Sequence, residues 1–385
     1  MSTELRLSDL SAATPGVLPN QLLVDAVAAG WIEAGEFRVP DENIQPASLD
    51  LRLGEHAYRM RCSFLPHDDS VERKVKDYIV DELDLRREGA VLETNRPYLI
   101  PLLERLHLPV HVSARANPKS STGRLDVFTR VITDHSYRFD DVQPGYDGPL
   151  YLEVVPLSFA VRVRQGLSLN QLRLGIGSAR LSDDEMWELH QREPILFKAG
   201  RPATRAEFAT SEGLFMSLDL RGDGGDRNVG WRARGNAGLI DMSKIGAHRV
   251  HDYWEPVRSE DGDRIVLDPE RFYLLLSDEA VRVPPYLASE MTAYDPTSGE
   301  LRTHYAGFFD PGFGYSASGE LPGSRAALEV RAHDVPFMIE HGQRVCRLNF
   351  ERMVCEPTKL YGGAGLGSNY QGQVETLGKH FEHPA

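Results

Sequence analysis

The chain repeats itself. Ser48-Leu49-Asp50-Leu51-Arg52 returns as Ser217-Leu218-Asp219-Leu220-Arg221, and Arg96-Pro97-Tyr98-Leu99 returns as Arg271-Phe272-Tyr273-Leu274. Gln143-Pro144-Gly145-Tyr146 is echoed by Asp310-Pro311-Gly312-Phe313. Leu152-Glu153-Val154 followed by Gly166 is echoed by Leu328-Glu329-Val330 followed by Gly342, with the same spacing. Collinear matches of this kind mean a duplicated unit, which constrains the fold more than any composition does. The reading is a first unit over 1–190, a linker over 191–212 and a second unit over 213–385.

Within each unit the pattern is β-like. Tyr151–Val155, Phe159–Val163, Leu167–Leu174, Arg264–Leu267, Tyr273–Leu276 and Arg344–Phe350 are short runs of branched and aromatic residues between Pro and Gly turns. Helical spacing is confined to Gln21–Ala34, with Gly35 as its stop, and to the charged run Leu181–Arg192. Many short strands without long helices predict a mainly β protein, a barrel or jelly roll in each half. A Gly- and Arg-rich insertion over 223–251 shows little periodicity and reads as a solvated loop.

With 43 basic against 57 acidic residues, an extended positive field for nucleic acid or an anionic membrane is absent, so any bound phosphate must be held by a local cluster. Cys62, Cys346 and Cys355 lack paired spacing and read as reduced packing residues. No stretch approaches 18 uninterrupted apolar residues, and the expectation is a cytoplasmic chain without a membrane partner.

Three segments could carry chemistry. Lys119-Ser120-Ser121-Thr122-Gly123-Arg124 converges hydroxyls, backbone N–H groups and two cations, as a phosphate cradle requires, without the order of a Walker loop. The matching stretch Pro296–Arg302 has no counterpart of Lys119 and gains Glu300, a poorer cradle. Glu153 and Glu329 each interrupt an apolar strand; a carboxylate facing a partly dry pocket has its proton affinity raised and can act as general base or acid. The Gly-rich run 362–367 leading to Tyr370, Gln371 and Gln373 suits an arm that closes over a ligand. Zinc chemistry finds only His380-Phe381-Glu382 and no cysteine pair, so a zinc-dependent deaminase is not expected.

Together these residues resemble the metal-independent dCTP deaminase family of the dUTPase-like superfamily. Ile44–Gly54 is similar to its first motif, Lys119–Arg124 to its Arg-Ser-Ser-x-x-Arg phosphate motif with Lys in place of the first Arg, Ala306–Phe313 to its base-binding hairpin, and Tyr370–Gln373 to its closing motif. The resemblance implies distorted jelly rolls with sites between neighbouring rolls of a trimer. It implies a glutamate, Glu329 or Glu153, that deprotonates water for attack on C4 of cytosine. Ser120 and Arg124 would orient water and pyrimidine or hold phosphate, with Lys119 and Ser121 in the cradle, Asp310, Gly312 and Phe313 at the base, and Tyr370, Gln371 and Gln373 closing over it. Mg²⁺ would accompany the triphosphate of dCTP or dUTP, and dTTP could act as a feedback ligand. Gln143 stands in unit one where the hairpin aspartate is expected, and the cradle is poor in unit two. The economical expectation is therefore one composite site, the cradle of unit one facing the hairpin of unit two, with Glu329 as base and Glu153 a close second. Alternatives are a dUTP diphosphatase, a bifunctional enzyme, or a non-catalytic nucleotide sensor.

Overall fold

The structure, a computed structural model, describes residues 5–222, 227–293, 301–303, 307–316, 322–332, 334–363 and 376–382. It is mainly β, and the duplication is written in its strand pairing. Unit one contains β1 (Leu49–Arg52), β2 (Tyr98–His107), β3 (Val112–Pro118), β4 (Val127–Thr133), β5 (Asp141–Val142), β6 (Asp147–Pro156), β7 (Val161–Val163) and β8 (Ser168–Ile176). Unit two contains β9 (Leu214–Ser217), β10 (Ile240–Asp241), β11 (Phe272–Val281), β12 (Leu287–Ala293), β13 (Leu301–Thr303), β14 (Gly307–Phe309), β15 (Ser324–Ala332) and β16 (Arg344–Arg352). The order β2-β6-β4 in one sheet of unit one is matched by β11-β15-β13 in unit two. The order β1-β8-β3-β5 in the other sheet is matched by β9-β16-β12-β14. Even the register repeats: Glu153 lies opposite Leu99, and Glu329 lies opposite Leu274.

Strand alternation explains the burial. Tyr98, Ile100, Leu152 and Val154 point into the core of unit one, while Tyr273, Leu275, Leu328 and Val330 point into that of unit two. The opposite faces, which carry Glu153 and Glu329, are also covered, but by different things. In unit two, Phe272 and Leu274 on the Glu329 face pack with unit one. In unit one, the short helix Val71–Val75 lays Val71 and Val75 over Leu99, Ile132 and Tyr151 on the Glu153 face.

Helix α1 spans Asn20–Ala28, not Gln21–Ala34: Gly30 takes a left-handed φ of 75° and the chain leaves the helix there. Helix α2 is Val71–Val75, α3 is the single turn Ser120–Gly123, and α4 is Asp183–Arg192, started by a Ser182/Glu185 capping box. Met186 and Leu189 of α4, and Ile195, Leu196, Ala203 and Phe208 of the expected linker, are buried in the core of unit two. The insertion is not a solvated loop. Its described part sends β10 to pair in parallel with β7 of unit one and buries Ala233, Ile240, Met242 and Val250 in the first core, where Leu377 and Phe381 of the C-terminal segment join them. Weak periodicity misled because this segment covers another unit rather than forming a sheet of its own. Among the described residues no helix is long and apolar enough to cross a membrane.

Candidate functional site

The units meet through charge. From unit one, Arg115 on β3 binds Glu290 at 2.7 Å and also Glu351, and Asn117 donates to Glu290 at 2.8 Å. Arg173 on β8, fully buried, donates to Asp310 at 3.1 Å and to the Ser289 carbonyl at 3.0 Å, with its guanidinium 4.0 Å from the Phe308 ring centre. In the reverse sense Arg331 of unit two binds Asp126 of unit one. Buried ion pairs of this kind fix registration more than they add stability.

Between the units lies a cavity of about 360 Å³ lined by Lys119, Ser120, Ser121 and Arg124 from unit one and by Phe308, Asp310, Phe313 and Glu329 from unit two. The phosphate-type loop of one repeat and the hairpin and strand acid of the other therefore share one space. Helix α3 turns the loop so that Ser120 follows the Lys119 N-cap, and Arg124 Nε donates to Ser120 Oγ at 3.1 Å. Gly123 sits against the Glu329 carboxylate: a Cβ there would lie 2.6 Å from Oε2. Burial pushes the Glu329 carboxyl up to about 8, with Asp126 adding to the rise and Arg124 opposing it.

The hairpin is fixed from both sides. Asp310 is buried, and burial raises its carboxyl despite Arg173; Ser48 Oγ lies 3.5 Å from its other oxygen. Gly312 has φ of 100°, and its Cα faces the Tyr361 backbone so closely that a Cβ would come within 2.7 Å of that nitrogen. Phe313 packs edge-on to Phe309 with ring centres 4.9 Å apart. Tyr370, Gln371 and Gln373 lie outside the described residues, as does most of the second loop, Pro296–Arg302.

Glu153 is not in this cavity. Its Oε1 accepts from Arg130 Nη2 at 2.5 Å, and the same guanidinium is held 3.6 Å from the Phe139 ring centre and by Ser63. Its hairpin counterpart Gln143 is exposed and donates to Asp141. Sequence reasoning missed Gly123, Arg173 and Lys379, which also lines the cavity. Gly123 was visible inside the motif; Arg173 and Lys379 carry no local signal.

Among the described residues, Asp219, Asp278 and His341 form the single His/Cys/Asp/Glu group close enough to share a metal ion. Lys198 and Arg221 already bind Asp278, and Arg325 binds Asp219, so its charge is balanced within the protein. His380 is buried, which pushes its imidazole down to about 4, and Phe381 beside it is core.

An anion-type loop and an aromatic hairpin joined across two β units define a composite small-molecule site. Residues 14–178 match the family model of the 2'-deoxycytidine 5'-triphosphate deaminase N-terminal domain, and 182–381 match that of the C-terminal domain. The chain is 28% identical over 158 residues to a dCTP deaminase of Halorubrum lacusprofundi, covering 40% of this chain and 75% of the relative. It is 34% identical over 158 residues to a dUMP-forming dCTP deaminase of Corynebacterium glutamicum, covering 40% and 79%. The crystal structure of 2'-deoxycytidine 5'-triphosphate deaminase from Agrobacterium tumefaciens superposes with a TM-score of 0.81 at 46% identity, over 89% of this chain and 99% of that one. The chain belongs to the dCTP deaminase family, with both of the family's domains in a single polypeptide.

Proposed function

We propose that this protein hydrolyses dCTP to dUTP and ammonia with Glu329 as the proton carrier. The observation that carries the reading is the Glu329 carboxylate, buried against Gly123 in the same cavity as Ser120 and Arg124 and the Phe308–Phe313 hairpin. The pyrimidine lies at the hairpin and the phosphates at the loop. Glu329 removes a proton from water, and the hydroxide adds to C4. Glu329 passes that proton to ring N3, then takes the proton of the new C4 hydroxyl and delivers it to the amino group. The C4–N bond breaks and ammonia leaves as the carbonyl forms. One water proton thus ends on N3 and the other on ammonia, and the enzyme returns to its starting protonation state. A carboxyl with a pKa near 8 suits both halves of this transfer at neutral pH. Ser120, whose oxygen accepts from Arg124, keeps its own hydroxyl proton for the water or the pyrimidine ring.

Zinc is not required in this scheme. Mg²⁺ would neutralise the triphosphate. The donor set suits it: Asp50 beside Lys119 has a buried Oδ1 without a hydrogen-bond partner among the described residues, an acceptor for a water of that ion. Incubation with dCTP and Mg²⁺ followed by product separation tests the reading: dUTP with ammonia is expected, and unchanged dCTP would refute it. The Corynebacterium glutamicum relative is described as dUMP-forming, which favours a second reading in which dUTP is hydrolysed further; dUMP with pyrophosphate among the products would select it.

A further inference from the structure

Part of the cavity wall comes from the C-terminal segment of unit two rather than from its repeated strands. The segment Thr376–Glu382 runs between unit one and the insertion, tied on both flanks. Arg124 Nη1 donates to the carbonyls of Thr376 and Leu377 at 3.1 and 3.4 Å. On the other flank Gly246 N–H donates to the Lys379 carbonyl at 3.0 Å, Ala247 and His248 N–H donate to that of His380 at 3.0 and 3.1 Å, and Glu382 N–H returns to His248 at 2.9 Å. Phe381 anchors the segment in the first core. The backbone around Lys379 is thus fixed, and its side chain lines the cavity with Lys119 and Asp50.

Two ammonium groups and one carboxylate meet in this corner. Lys119 binds Asp50 directly. Burial lowers the proton affinity of Lys379, Lys119 lowers it further, and Asp50 offsets only part of this. Two lysines lining one cavity beside a serine hydroxyl and an arginine guanidinium form an arrangement that suits a multiply charged anionic group. Ser120 and Arg124 stand beside it and give the first hydroxyl and guanidinium of the cradle.

We propose that Lys379, positioned by the insertion and the C-terminal segment, joins Lys119 to grip the distal phosphates and makes the site select a triphosphate over a monophosphate. This rests on the dCTP reading of the same cavity. The insertion thereby gains a role in binding, because its 246–248 turn holds the lysine in place.

Full-length protein and two readouts decide the matter. Calorimetric titration with inorganic tripolyphosphate should show binding to the wild type, about tenfold or more weaker binding to Lys379→Ala, the scale of one lost charge-assisted contact, and near-native binding to Lys379→Arg. Steady-state kinetics should show the KM for dCTP rising by a similar factor in Lys379→Ala with kcat little changed, while turnover of dCMP is unaffected. A folded Lys379→Ala protein that binds tripolyphosphate as the wild type does would overturn the proposal. Should Lys379→Ala fail to fold, Lys379→Met serves in its place. If the wild type binds tripolyphosphate through Lys379 yet leaves dCTP intact, the phosphate grip stands and the deamination reading alone falls.

Discussion

Two glutamates in the same register meet opposite fates because of single neighbours. Glu153 faces Arg130 across the ladder and is neutralised by it; Glu329 faces Gly123, whose missing side chain admits the carboxylate to the cavity. Replacing Glu329 by Gln should lower kcat by about 10²- to 10⁴-fold with dCTP binding retained. Glu153→Gln should keep kcat and instead cost about 1–3 kcal/mol of stability, since Arg130 loses its charged partner; a dead Glu153→Gln beside an active Glu329→Gln would reverse the assignment. Because the base must be ionised, kcat/KM should climb with pH through about 8, the position of the Glu329 carboxyl. The same shift acts on folding. A carboxyl raised in the folded state holds its proton there longer than in the unfolded chain, so its contribution is complete below the ordinary glutamate value and is lost as pH rises through about 8. Glu329→Gln should therefore melt increasingly above the wild type between pH 5 and pH 9, and a constant gap in melting temperature would refute the shift. The sequence shows both acids and their repetition. It cannot choose between them, since the choice lies in Arg130 and Gly123, which only the folded sheet brings opposite them.

Among the elements, the strands were legible because alternation and Pro-Gly turns mark them: Arg264–Leu267 is observed at its expected limits, and Arg344–Phe350 extends by one pair. The end of the first helix at Ala28 and the structured insertion were not legible, the first because its apolar spacing outruns its stop, the second because its apolar residues answer to a surface on the other unit. The hairpin at Asp310 depends on one left-handed glycine. Gly312→Ala should cost about 1–3 kcal/mol from backbone strain and displace Tyr361, raising KM for nucleotide more than it lowers stability at neighbouring turns. An unchanged KM and melting temperature would show that the hairpin is not held as described.

At the scale of the molecule, the described residues of both units line one shared cavity. The cradle of unit one meets the hairpin of unit two, and the different motif retained by each half made that composite expectation possible from sequence. Titration with dCTP, using Glu329→Gln to prevent turnover, should saturate at one nucleotide per chain; two would mean that the Glu153 face also binds. A homotrimer is the expected assembly, three chains supplying six units, and light scattering that finds an active monomer would exclude it.

Units that dock front to back tend to propagate, closing into a ring only if the rotation happens to return on itself and otherwise growing as a fibre. In this chain the first front-to-back contact is made within one polypeptide, between unit one and unit two, and the corresponding face of unit one is occupied by helix α2 with Val71 and Val75. A further unit could dock on that face only by displacing α2. Through this one contact the series therefore stops at the second unit: α2 acts as a cap, a few residues laid over a surface that, in the other repeat, faces the cavity.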